Sequence, residues 1–157
     1  MSTPHTGFLQ RAIELAVRNV SAGGGPFGAV IVRQQQVVAE GANRVTLTND
    51  PTAHAEIVAI REACRSLGRF QLDGCAIYCS CEPCPMCLGA IYWARLREVY
   101  FAATREDAAR AGFDDSLIYN EIPLPPQERK ITMAQAPCPE AAAPFHAWLA
   151  RTDRILY

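Results

Sequence analysis

Apolar residues recur every three or four positions in FLQRAIELAVRNV, where Phe8, Leu9, Ala12, Ile13, Ala16, Val17 and Val20 fall on one stripe. That period predicts a helix with one buried face. The pattern then tightens into short, nearly continuous apolar runs, FGAVIVR (27–33) and VVAEGAN (37–43), which read as two strands joined across QQQ. The connection lacks the Asn-Gly or Asp-Gly pair that favours a tight hairpin. NDPTAHAEIVAIREACRSLG (49–68) returns to the helical period. Asp50 is placed to cap it, Pro51 suits the first helical position, and Gly68 suits the C-terminal cap. CAIYCS (75–80) reads as a strand, PCPMCLGAIYWAR (83–95) as a helix starting at Pro83, and EVYFAA (98–103) as a strand. TREDAARAG (104–112) reads as a short helix, and FDDSLIYNEIPLPPQERK (113–130) as loop. ITMAQA (131–136) is expected to form a last strand and PEAAAPFHAWLARTD (139–153) a last helix, Pro144 notwithstanding.

A helix, two strands, and then strands alternating with helices predict an α/β fold. The expected architecture is a three-layer α/β/α arrangement around a mixed sheet of about five strands, with the later helices on the sheet faces. The 157 residues fit one domain, 1–157. Half the residues are apolar and the formal charge is −1. Such a balance gives no footprint for a polyanion, so no nucleic-acid partner is expected. From Thr104 to Tyr157 six basic residues stand against eight acidic ones, which points the same way. The start, MSTPHTGFLQR, has neither a basic opening nor an apolar run, and no stretch is long and apolar enough to span a bilayer. A cytoplasmic protein with no membrane partner is the expectation. Seven cysteines in such a chain read as metal ligands or buried thiols before disulfides.

The chemistry concentrates in two places. SCEPCPMC (80–87) carries Cys81, Cys84 and Cys87 at a spacing of three, and HAE (54–56) carries His54 and Glu56. Each opens a predicted helix. Side chains lean toward a helix N-terminus, where partial positive charge favours thiolates, so two helix tips at one end of a sheet would bring His54, Cys84 and Cys87 together. One imidazole and two thiolates leave the fourth corner of a zinc ion open, the arrangement of a catalytic site. Glu56 is then placed to take a proton from water at that corner.

Other readings of these residues explain less. An iron–sulfur motif would require a fourth cysteine where Ile91 stands, and a lone redox C-x-x-C leaves HAE unused. Cys81 lies ahead of the helix start, a substitute ligand at most. Cys64, Cys75 and Cys79 read as small buried hydrophobes. GGGPFG (23–28) lacks phosphate-loop spacing and reads as a loop entering the first strand. Trp93 reads as core or interface, and His5 and His146 as structural or solvent-exposed.

HAE and PCPMC together resemble the H-x-E…P-C-x-x-C signature of the zinc-dependent nucleobase and nucleoside deaminases, the cytidine/deoxycytidylate deaminase superfamily. The predicted order of elements is similar as well. The resemblance implies one Zn2+ per chain on His54, Cys84 and Cys87, with Glu56 shuttling protons while a zinc-activated water attacks a ring carbon bearing an amino group. Further stretches, GGPFGAVIV, NDPTAHAE, SCEPCPMCLGAIYWAR, ARAGFDDS and the terminal Tyr157, resemble the family's bacterial branch that acts on guanine. That implies a small purine base as substrate and xanthine plus ammonia as products. A tRNA adenosine deaminase, a deaminase of another free heterocycle such as cytosine, and a noncatalytic zinc-binding protein are the alternatives. The substrate contacts it implies are Phe27 as an aromatic face, Asn43 as donor and acceptor, Ala55, Asp115 (or Asp114) as acceptor from ring N–H groups, and Tyr157. The resemblance also implies a homodimer in which segment 138–157 forms a lid or is exchanged between subunits.

Overall fold

The computed structural model describes residues 4–157. Residues 1–3, the start of the segment read as lacking a leader, lie outside the described residues. The first helix, α1 (Pro4–Ser21), leads into a hairpin of β1 (Gly28–Arg33) and β2 (Gln36–Ala42). Arg33 pairs with Gln36, so the turn is just Gln34 and Gln35, both in left-handed conformation with φ of 50° and 62°. Paired left-handed residues suit the twist of a two-residue hairpin, and two glutamines adopting them carry no sequence signal. Then follow α2 (Val45–Thr48), α3 (Ala55–Leu67), β3 (Cys75–Cys81), α4 (Pro85–Trp93), β4 (Glu98–Ala103) and α5 (Arg105–Arg110).

The sheet has four strands in the order β2-β1-β3-β4. β1 is antiparallel to both β2 and β3, and β3 is parallel to β4. β2 and β3 therefore run the same way, and the helices that follow them, α3 and α4, start at one edge of the sheet. β1 runs opposite, so its beginning lies at that edge too. Alternation along the strands divides the core. Val30, Val32 and Tyr78 face Ala12 of α1 on one side, while Ala29, Ile31, Ile77 and Cys79 face Ala55, Ala59, Ala63 and Ile91 on the other. The result is the three-layer mixed α/β fold the sequence predicts, with four strands where about five were expected.

The second layer owes its closeness to small residues. Ala55, Ala59 and Ala63 form a stripe of alanines on α3, and Gly41 of β2 lies directly beneath it. A Cβ at Gly41 would fall 2.2 Å from the Ala55 carbonyl oxygen and 2.6 Å from the Ala59 nitrogen. Helix and strand thus pack backbone to backbone here, which sets the height of the α3 N-terminus over the sheet.

Several sequence expectations are corrected. Asp50 does not cap a helix: its Oδ1 accepts from Thr52 N at 2.8 Å and Thr52 Oγ1 at 2.7 Å, closing a turn, and α3 begins only at Ala55. Gly68 does cap it, at φ 62°. α4 starts at Pro85, not Pro83. Val17, placed on the buried stripe of α1, is 63% exposed, and Val20 is exposed as well. Trp93, read as core or interface, is exposed, which corrects only the core half of that reading.

Residues up to Asp115 form one compact unit and Ser116–Tyr157 another. In the second, α6 (Ser116–Glu121) and a 3-10 turn (Pro126–Glu128) stand where loop was expected, and α7 (Ala143–Ala150) is shorter than expected. No strand forms at 131–136, where β-branched content is limited to Ile131 and Thr132. No residue of this unit is buried. Among the described residues no helix is long and apolar enough to cross a membrane.

Candidate metal centre and active site

His54 and Cys84 occupy equivalent places: each is the N-cap of its helix, with extended backbone at φ −67° and ψ near 160° (157° and 168°). Cys87 follows one turn into α4 and is fully buried, whereas His54 and Cys84 are half-buried. Because α3 and α4 start at the same sheet edge, the three side chains converge. Nδ1 of His54 lies 3.5 Å from Cys84 Sγ and 3.6 Å from Cys87 Sγ. All three ligand atoms lie within 4.8 Å of one another. A tetrahedral ion with ordinary zinc–nitrogen and zinc–sulfur bonds places nitrogen and sulfur about 3.6 Å apart, so both nitrogen–sulfur distances suit a shared zinc. The ring nitrogen facing the sulfurs is Nδ1, a point that sequence left open.

The electrostatics of the thiols suit a cation. The neighbouring Cys87 holds Cys84 down to about 4, while Cys87 is raised, first by Cys84 and then by burial. His54 is raised, first by its hydrogen bond to Cys84. Zinc takes these ligands as thiolates and neutral imidazole, so binding it displaces protons from Cys87 and His54.

Glu56, in the first turn of α3, is a buried carboxyl whose Oε2 accepts from Cys87 Sγ at 3.4 Å. Burial pushes it up, with the Cys84 charge adding to the shift. A carboxyl raised in this way holds a proton more firmly than a free one, which suits a group that accepts and returns a proton. Cys81 is a different case. It is buried, donates to the Thr104 carbonyl at 3.4 Å and is pushed up to about 11 by burial. It stands outside the ligand triad, as a structural thiol and not a substitute ligand.

The remaining sequence candidates divide. Phe27 precedes β1 and Asn43 follows β2, so the fold brings both to the edge from which α3 and α4 start; Asn43 N donates to the Phe27 carbonyl at 3.1 Å. Asn43 Oδ1 accepts from Val45 N at 3.2 Å, which fixes the orientation of its amide. Ala55 turns its methyl into the core. Asp115 is half-buried and raised, by burial first and then by the Cys84 charge, whereas Asp114 is exposed. Tyr157 belongs to the second unit and is 70% exposed. Sequence reasoning passed over two neighbours. Phe113 meets Phe27 edge-on at 5.0 Å, and Ser80 Oγ accepts from Gly28 N at 3.0 Å. Phe113 sits in the same FDDS stretch as the aspartates, which was its only signal.

Residues 2–103 match the family model described as the cytidine and deoxycytidylate deaminase zinc-binding region. The chain belongs to this deaminase family. It is a zinc-dependent deaminase, and His54, Cys84 and Cys87 form its single zinc site. The chain is 60% identical over 145 residues to a guanine deaminase of Bacillus subtilis, spanning 92% of this chain and 93% of that one. The crystal structure of guanine deaminase from Bacillus subtilis superposes with a TM-score of 0.96 at 56% identity, over 100% of this chain and 99% of the other. A tRNA-specific adenosine deaminase of Aquifex aeolicus is 36% identical over 86% of this chain and 87% of its own length.

Proposed function

We propose that this deaminase hydrolyses guanine to xanthine and ammonia, with Glu56 as the proton carrier. The observation that carries the substrate assignment is the 60% identity, over nearly the full length of both chains, to a relative named for that reaction. The chemistry rests on the buried Glu56 carboxyl beside a three-ligand corner. Zinc bound there supplies a Lewis acid that lowers the pKa of water at its open position. Glu56 takes a proton from the attacking water, which adds to C2 of the base. It delivers that proton to the adjacent ring nitrogen, then takes the second proton from the hydroxyl now on C2 and passes it to the departing amine as the C2–N bond breaks and the C2 carbonyl forms. Guanine and water are thereby consumed and xanthine and ammonia formed.

Recognition falls to residues at the same sheet edge. Phe27 offers its ring face to the heterocycle, and its edge-on partner Phe113 holds that ring in place. With Oδ1 of Asn43 engaged by Val45, its Nδ2 donates to an acceptor on the base. Asp115, near the Cys84 charge, accepts from the N–H groups that guanine has and adenine lacks. A carboxylate left without that donor would disfavour other rings. Ala55 supplies main chain only.

The proposal extends to a cytoplasmic homodimer in which segment 138–157, with Tyr157, forms a lid or is exchanged between subunits. In its support, Phe145, Leu149, Ile155 and Leu156 are all exposed on the single chain.

Ammonia release is to be measured on guanine, adenine, cytosine and a tRNA anticodon stem-loop, for the unaltered chain and Glu56→Gln. Turnover of guanine is expected for the unaltered chain. Glu56→Gln is expected to keep one zinc per chain while kcat falls by about a hundredfold or more. Wild-type turnover by Glu56→Gln would remove Glu56 from the mechanism, and deamination of the stem-loop but not guanine would replace the substrate.

A further inference from the structure

The glycine-rich loop between α1 and β1 is held by one buried side chain. Asn19, in the last turn of α1, is 9% exposed. Its amide nitrogen donates to two main-chain carbonyls, Gly25 O at 2.8 Å and Asn43 O at 2.7 Å. An amide nitrogen carries two hydrogens, so both are spent on carbonyls from different segments. Each carbonyl belongs to the frame of a substrate contact. Gly25 O also accepts from Phe27 N at 2.9 Å, and Phe27 O accepts from Asn43 N at 3.1 Å. The ring of hydrogen bonds runs from Asn19 to Gly25 to Phe27 to Asn43 and back to Asn19.

The loop glycines are fitted to this arrangement. A Cβ at Gly24 would fall 2.3 Å from Asn19 Nδ2, and one at Gly25 would fall 2.9 Å from Asn43 Oδ1. Gly24 N also donates to the Asn19 carbonyl at 2.9 Å. Loop, Asn19 and Asn43 therefore press on one another with no slack, and the Asn43 amide is bounded by Gly25 on one side and tied to Val45 through its oxygen.

From this geometry we infer that Asn19 is a positioning residue for substrate recognition, acting on the base only through Phe27 and Asn43. The inference rests on the reading of those two residues as substrate contacts. Without the Asn19 amide, two buried carbonyls lose donors, and the loop carrying Phe27 is released from the strand end carrying Asn43. The zinc ligands and Glu56 sit on α3 and α4, which this ring does not include, so the loss falls on binding and spares the chemical step.

The test is a double-mutant cycle in the zinc-loaded chain, comparing wild type, Asn19→Ala, Asn43→Ala and the double variant. Asn19→Ala is expected to retain one zinc per chain and a kcat within about threefold of wild type, while KM for guanine rises roughly tenfold or more, since misplacement by an ångström is costly. Added to Asn43→Ala, it is expected to raise KM little further, because its route to the substrate is already cut. If Asn19→Ala shows no cooperative thermal transition, Asn19→Ser, which keeps one donor for the two carbonyls, takes its place with a smaller rise in the same direction. A KM within twofold of wild type overturns the inference, as do KM increases that multiply in the double variant. If the wild type is inactive on guanine, the substrate reading fails by itself, and the same cycle is run on whichever amino-heterocycle the chain deaminates.

Discussion

All seven cysteines are free thiols, and their neighbourhoods assign them different work. Cys84 and Cys87 are ligands because their sulfurs stand at the distance from His54 Nδ1 that a shared ion imposes. Cys75, Cys79 and Cys81 are buried in β3, and burial lifts Cys79 well above the ordinary thiol range and Cys81 to about 11. A thiol so shielded is not a nucleophile at neutral pH. Iodoacetamide applied at pH 7 to the zinc-loaded protein is therefore expected to label exposed Cys138 and to spare Cys75, Cys79 and Cys81, read by peptide mass spectrometry. Labelling of Cys81 at the rate of Cys138 would contradict its burial. The zinc ligands were legible at this scale, since two spaced motifs restrict each other. Asn19 and Phe113 were not: an asparagine on a helix and a phenylalanine in a loop look alike wherever they occur, and only their partners distinguish them.

Between elements, the decisive contact is that of β2 with α3. The alanine stripe allows the helix to settle on Gly41, and the same helix carries His54 and Glu56 at its tip. Gly41→Ala would press a methyl against the Ala55 carbonyl and the Ala59 nitrogen, backbone atoms that yield only if the helix shifts. Overpacking of this kind costs about 1–3 kcal/mol. Thermal unfolding is expected several degrees lower than wild type, and zinc should pass more readily to a competing chelator because His54 is displaced from the two sulfurs. An unchanged melting temperature with unchanged zinc retention would show that the layer tolerates the methyl. Helix and strand identities within β1 to α5 were largely readable from periodicity, but their starts were not. Asp50 and Pro51 carry a good helix-start signature and spend it on a turn, because the Asp50 carboxylate finds Thr52 first.

For the molecule as a whole, the accessible apolar surface is informative. Leu88, Tyr92 and Trp93 of α4 are exposed, and so are Phe145, Leu149, Ile155 and Leu156 of the second unit. Exposed large apolar side chains in number suit a chain that associates with a partner. Sedimentation of the full chain at micromolar concentration is expected to give twice the 17.2 kDa chain mass, and a species of single-chain mass would remove the homodimer. What the sequence determined by itself was local and periodic: the alternating elements of the first unit and a ligand set whose spacing follows from one turn of helix. The tertiary structure decided what depends on meeting. Parallel β2 and β3 send α3 and α4 off from one edge, which brings His54 to two cysteines thirty residues away. It also decided that 131–136 joins no sheet, that Val17 faces out, and that one amide of Asn19 ties the Gly25 loop to the end of β2. Periodicity encodes which face of an element is apolar; which other element will cover that face is settled only by the packing of the chain.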